Sequence, residues 1–265
     1  MISIIISTYQ PNYLDALTNN IEATIGNIPY ELIPIHNPGK MGICEAYNTG
    51  AAQAKYPYLC FMHEDVLFET PSWGERVVAH LKDSETGAIG VAGAAYKCKV
   101  PLSWSVVKRY RATNLIQHYG STKQKETTHV NPGDSETYRV VALDGVFIGT
   151  RKEVWEAIKF DAHTFKGFHG YDIDFSLAVA QHYKLFVVFD ILIEHFSQGN
   201  PNQDWLAAAV KISEKWKRHL PAHCLDLEDD AIAEIEQHCK KRFRKKLKRY
   251  PMGWLQRKLL LLRHG

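Results

Sequence analysis

No stretch of these 265 residues approaches the roughly 18 consecutive apolar residues that a membrane-spanning helix needs. No CxxC pair occurs either. The five cysteines, Cys44, Cys60, Cys98, Cys224 and Cys239, are scattered and odd in number. This argues against a cysteine-based zinc module and a disulfide framework, and reads as reduced, mostly buried thiols. The apolar opening, Met1-Ile2-Ser3-Ile4-Ile5-Ile6, lacks a basic n-region and a small-residue cleavage site. It reads as a buried strand of a cytoplasmic chain, not as a signal peptide. Internal repeats are absent. With 45% hydrophobic and 23% charged residues, the composition excludes a disordered or collagen-like chain. The length suits one large α/β domain with a small appendage.

A formal charge of +3 hides an asymmetry. Residues 240–265 hold 11 Lys/Arg and no Asp/Glu, which leaves the rest of the chain with a formal charge of −8. Basicity confined to one end gives no reason to expect a specific nucleic-acid partner. The tail also carries Trp254, Leu255 and Leu259 to Leu262. Basic clusters beside an apolar, Trp-bearing stretch suit a helix lying on an anionic membrane face, at the inner side of the cell membrane. The same helices could pair two chains as a homodimer.

Residues 2–6 are β-branched and almost continuously apolar, as in a strand buried on both faces. Helical spacing follows in Leu14, Leu17, Ile21 and Ile25, then a strand over 29–35 and an Ala-rich helix over 42–55. A third strand, 58–62, ends at His63-Glu64-Asp65. This alternation predicts a parallel, Rossmann-like half that binds a nucleotide. Beyond it the pattern predicts a helix over 71–82, a short strand over 88–95, an irregular polar loop over 97–138 and a strand pair over 139–150. Further on come helices over 151–158 and 172–182 and a strand over 185–193. The chain closes with helices over 205–220 and 229–249, so that 1–215 form the main domain and 216–265 a helical extension.

Three clusters stand at predicted strand ends or helix starts. His63-Glu64-Asp65 closes a strand, where a carboxylate can hold Mg²⁺ or Mn²⁺ against a diphosphate, or can merely cap the strand. Gly170-Tyr171-Asp172-Ile173-Asp174 opens a helix. An acid there is a cap or a general base, and Asp172 is the better-placed base, with Asp174 left to orient the loop or meet an acceptor. Ile193-Glu194-His195 ends another apolar run. A neutral imidazole there can ligate a metal or serve structure, and Ser197, Gln198 and Gly199 can bond phosphate oxygens.

In their order and spacing these pieces resemble a glycosyltransferase of the GT-A fold, close to family 2, in the bacterial group typified by the streptomycin-biosynthesis StrF protein. The resemblance covers about residues 1–215. It rests on Ile4-Ile5-Ile6-Ser7-Thr8-Tyr9 as first strand and turn, and on Gly42 to Ala54 with Asn48 and Gly50. It also rests on His63-Glu64-Asp65 at the DxD position, Asp144-Gly145 with Arg151-Lys152-Glu153 on the acceptor side, Tyr171-Asp172 at the "ED" motif, and His195 at the late metal-binding His. Two departures stand out: His63 replaces the first acid of DxD, and Tyr171 replaces the Glu of "ED".

The resemblance implies inverting transfer of a sugar from a nucleotide-diphosphate donor, UDP-linked, to a hydroxyl of a saccharide, in surface polysaccharide or glycan synthesis. The acceptor is lipid-linked if the tail docks on a membrane. Ser7, Tyr9, His36, Asn37, His63 and Glu64 would then hold the nucleotide, and Asp65 with His195 a divalent cation, Mn²⁺ or Mg²⁺. Ser197 would meet a phosphate and Asp172 would be the base. Asp144, Asp174 and Trp104 would face the acceptor. Two rivals remain. A nucleotidyltransferase would usually carry a Gly-rich loop after the first strand, whereas residues 7–12 contain no Gly. A non-catalytic nucleotide- or sugar-binding scaffold gains from the loss of an acid at His63, but not from the retention of Asp65, Asp172 and His195.

Overall fold

The computed structural model describes residues 1–264 except 120–123, 198 and 200. The first half alternates strand and helix: β1 (Ile2–Thr8), α1 (Pro11–Thr24), β2 (Tyr30–His36), α2 (Ile43–Gln53), β3 (Tyr58–Met62), β4 (Val66–Phe68) and α3 (Trp73–Leu81). Pro11 opens α1, where its missing N–H costs no hydrogen bond. Short strands follow: β5 (Thr86–Gly90), β6 (Ala92–Ala94), β7 (Tyr96–Lys97), β8 (Arg111–Tyr119), β9 (Gln124–Val130), β10 (Thr137–Val140), β11 (Ala142–Leu143) and β12 (Phe147–Arg151). The remainder is α4 (Lys152–Ile158), α5 (Tyr171–Val179), β13 (Lys184–Val188), β14 (Ile193–His195), α6 (Gln203–Lys215), β15 (Ala222–His223), α7 (Asp229–Leu247) and α8 (Trp254–His264).

Seven strands form the central sheet, in the order β10-β13-β5-β12-β3-β1-β2. Five of them run the same way, and β12 and β10 run against them. Side-chain alternation on β1 divides the core between the sheet's two faces. Ile5 joins Tyr47 of α2, Phe61 and Phe160, while Ile2, Ile4 and Ile6 join Leu17 and Ile21 of α1 with Trp73 of α3. A second sheet, β11-β6-β8-β14-β4 with β9 on β8, lies beyond the ends of β3 and β5 and supplies the other wall of the site.

The structure corrects several expected elements. The 97–138 segment is not irregular: its described part contains the antiparallel pair β8–β9, with β8 also paired to β6 and β14. Its polar side chains (Gln117, His118, Glu126, Thr127, Thr128) hide the strand from a hydrophobicity reading, because partner strands stabilise it. The expected strand over 88–95 breaks at Val91 into β5 and β6, which belong to different sheets. The strand over 185–193 likewise splits into β13 and β14.

The tail is partly committed. Ile235, Cys239, Phe243 and Leu247, four residues apart on α7, are buried against Tyr96, Cys98 and Leu206 in a third core. The apolar stripe of α7 is therefore covered. Lys240, Lys241, Arg242, Arg244 and Lys245 face outward, and Lys246 is half-buried against Trp205. On α8, Leu260 and Leu261 pack toward the same core, while Trp254 (71% exposed), Leu255 and Leu262 face outward.

Candidate functional site

The site begins where β3 stops. Parallel strands end at one edge of a sheet, and residues just beyond that edge line the crevice above it. After Met62 the chain turns through His63, Glu64 and Asp65 into β4. Strand β14 pairs with β4 on one side and with β8 on the other, in the register His195↔Val66 and His195↔Gln117. This pairing carries His195 in beside Asp65 across 130 residues of chain. Ligand atoms of His63, Asp65 and His195 all lie within 4.8 Å of one another. Asp65 Oδ1 is 3.8 Å from His63 Nδ1 and 3.6 Å from His195 Nε2.

Hydrogen bonds decide which lone pairs point inward. The Gln117 amide nitrogen donates to the carbonyls of His118, His195 and Ser197, so its oxygen accepts, here from His195 Nδ1 at 3.2 Å. That leaves the lone pair on His195 Nε2. The Tyr171 hydroxyl donates to the Gly145 carbonyl at 2.9 Å and therefore accepts from His63 Nε2 at 3.0 Å. That leaves the lone pair on His63 Nδ1. Two imidazole nitrogens and a carboxylate oxygen thus converge, each imidazole oriented through its other nitrogen, as metal-ligating histidines usually are. Burial and the neighbouring His195 push the His63 pKa down, which keeps the ring in its neutral, ligating form. Burial would raise Asp65, but His195, His63 and Ser197 outweigh it and hold the carboxyl at about 2. The residues fit a divalent cation.

Glu64 faces the other way. Its Oε2 accepts from the Thr8 hydroxyl at 2.6 Å and from the Tyr9 and Gln10 amides at 3.1 Å each. It ties the turn after β1 to the end of β3.

Asp172 and Asp174 diverge at the start of α5, after the positive-φ turn at Gly170. The Gly145 N–H donates to Asp172 Oδ2 at 3.3 Å. Burial, reinforced by the charge of Asp144, raises the Asp172 carboxyl to about 7. Asp144 itself accepts from Trp104 Nε1 and from the Val146 amide, both at 3.0 Å. Asp174 is not brought to this place. It is buried in an ion pair with Lys215 at 2.7 Å and accepts from Trp216 Nε1 at 2.8 Å, holding α5 against α6.

One cleft of about 680 Å³ collects His63, Trp104, Asp144, Asp172, His195 and Ser197. An adjoining cavity of about 600 Å³ takes Tyr9, Glu64 and Asp65. Ser7, His36 and Asn37 sit at the ends of β1 and β2 and line neither. The amide of Asn37 is engaged with Met41. Ser197 stands against the metal-type cluster, its Oγ 3.3 Å from His195 Nε2. Gln198 lies outside the described residues. Sequence reasoning missed Gln117 and Tyr171. It also gave His63 to the nucleotide, whereas its ring stands with Asp65 and His195. A signal did exist: the two departures from the family pattern, His63 and Tyr171, are hydrogen-bonded to each other.

A largely parallel sheet flanked by helices, with a polar cluster at the carboxyl edge and a second sheet beyond it, defines a GT-A glycosyltransferase fold. The chain belongs to the glycosyltransferase-like family, whose sequence model matches residues 4–219. Among solved structures it is similar to GalNAc-T7, crystallised with UDP, GalNAc and Mn²⁺: TM-score 0.57, 14% identity, 93% of this chain covered. The match spans 54% of that protein, so the chain corresponds to about half its length. No curated protein matches the sequence.

Proposed function

We propose that the protein transfers a sugar from a nucleotide-diphosphate donor to a hydroxyl of a saccharide, with inversion at the anomeric carbon. The carrying observation is that Asp172, a half-buried carboxylate whose pKa is raised to about 7, shares one cleft with the His63 and His195 rings. A base with that pKa takes a proton well near neutral pH. Asp172 removes the acceptor O–H proton as that oxygen attacks the anomeric carbon. The bond from that carbon to the phosphate oxygen breaks, and the nucleoside diphosphate leaves. Asp144 keeps Asp172 basic, and Trp104 holds Asp144 in place. A divalent cation bound by His63, Asp65 and His195 would supply positive charge to the diphosphate. Two imidazoles in the donor set favour Mn²⁺ over Mg²⁺. UDP is the first base to try, since the GalNAc-T7 crystals held UDP.

The test is calorimetric titration with UDP, GDP, CDP and TDP, each with and without Mn²⁺. Mn²⁺-dependent binding of one of the four is expected. Failure of all four to bind would remove the donor assignment and favour a non-catalytic scaffold. That rival is weakened by His63, whose free Nδ1 supplies a ligand atom where an acid is missing. A nucleotidyltransferase remains disfavoured by the Gly-free turn at 7–12.

The family match stops at 219, which supports treating 216–265 as an extension to a transferase unit of 1–215. Of that extension, α8 offers an apolar face free to meet an anionic membrane, with the outward-facing cations of α7 beside it. Each Lys or Arg near such a surface contributes about 1 kcal/mol. Removing residues 254–265 is expected to abolish sedimentation with anionic liposomes. Undiminished sedimentation would end the membrane reading.

A further inference from the structure

The cleft that holds Asp172 has a second, basic wall. Lys97, Arg111 and Lys246 line it, from β7, β8 and α7 respectively. Lys97 is only 2% exposed, and its ammonium donates to a single described acceptor, the Cys98 carbonyl at 2.9 Å. The Nε of Arg111 is buried without a hydrogen-bond partner. Lys246 Nζ rests 3.4 Å from the centroid of the Trp205 ring. None of the three takes part in an ion pair among the described residues.

Uncompensated buried cations are costly, and natural proteins pair them. Lys97 is buried and Arg111 and Lys246 are half-buried, and three cations from separate elements lining one cleft call for an anion with several oxygens. An Arg fork beside point-charged ammonium groups matches a phosphate better than a single carboxylate. The hydroxyls of Ser103 and Ser105, 3.0 Å apart, line the same cleft and add donors. The donor's diphosphate belongs with His63, Asp65 and His195 in the proposed function. We propose that this basic wall receives a phosphate or pyrophosphate group carried by the acceptor, so that the acceptor is a phosphorylated saccharide. The assignment rests on the transferase reading and adds the chemical class of the second substrate. Lys246 lies beyond the matched residues 4–219, so the extension contributes to the acceptor end of the site.

Inorganic phosphate is the probe, titrated at fixed ionic strength with tryptophan fluorescence as readout. In metal-free buffer the wild type is expected to bind it. Arg111→Gln and Lys246→Gln should each weaken binding about tenfold, the loss of one charge-assisted hydrogen bond. Lys248→Gln, an exposed site just past the end of the same helix, should leave it unchanged. These sites are chosen over fully buried Lys97, whose replacement risks the fold. The titration is then repeated on protein saturated with UDP and stoichiometric Mn²⁺. Phosphate affinity within twofold of the first value assigns the wall to the acceptor. Displacement of phosphate by UDP overturns the proposal and gives the cations to the donor. So does wild-type phosphate binding by both variants, or no binding by the wild type. Failure of UDP to bind would count against the donor assignment alone, because the phosphate titrations read the basic wall without it.

Discussion

Asp172→Asn is expected to lower turnover about 10²–10⁴-fold, the usual worth of a positioned base. That is roughly 3–5 kcal/mol of barrier. The nucleotide should still bind, since Asn keeps the side chain's size and the Gly145 contact while losing only the proton acceptor. The pH profile supplies a second reading. Asp172 must be ionised to act, so kcat/KM should climb as pH rises through about 7, and that limb should be missing from the variant's residual activity. Stability runs in the opposite sense. The folded-state pKa lies above the ordinary 3.8, so this group's contribution is full below about 4 and is lost as pH rises through about 7. Asp172→Asn removes that penalty. It should raise Tm at pH 8, with little gain at pH 4. Near-normal turnover would disprove the base assignment. Reduced Tm at every pH would mean that Asn disrupts the turn at Gly145.

Replacing either Asp65 or His195 by Ala is expected to abolish Mn²⁺-dependent nucleotide binding, a loss of more than about 100-fold. Loss of an orienting partner alone typically costs 10–100-fold, and a ligand should cost more. Gln117 allows a graded check. Gln117→Leu keeps both imidazoles but removes the acceptor that orients His195, so Mn²⁺ affinity should fall about 10–100-fold. Metal-free nucleotide binding should not change. His63→Ala separates two accounts of that residue. A ligand role predicts loss of Mn²⁺ binding measured without nucleotide, whereas a role in gripping the nucleotide predicts none. Intact Mn²⁺ binding in Asp65→Ala and His195→Ala together would remove the metal site.

The parallel half of the sheet was legible because burial on both faces leaves a continuous β-branched run, as in Ile2 to Ile6, and because β3 ends in a polar cluster. Asp172 was legible from Gly170 and the start of a helix. The β8–β9 pair was not. Its side chains are mostly polar, and its backbone is satisfied by strands distant in sequence. Asp174, two residues on, was left to orient the loop or meet an acceptor, and which of these it does was not legible, because Lys215 and Trp216, which hold it, come from the far end of α6. The helix over 229–249 was legible, but the tail's basic composition hid that its apolar stripe, Ile235 to Leu247, already has a partner.

The sequence by itself determined which segments are buried and where strands end, since periodicity and turn residues are local properties of the chain. It therefore identified Asp65, Asp172 and His195 as residues that finish strands or open a helix. Only the tertiary structure decided what those ends face. Pairing of β14 between β4 and β8 brings His195 to Asp65, the Tyr171 hydroxyl turns His63 toward both, and α7 carries Lys246 to the same cleft. Side-chain direction at an element's end depends on which distant element packs against it, and that information is spread over the whole chain.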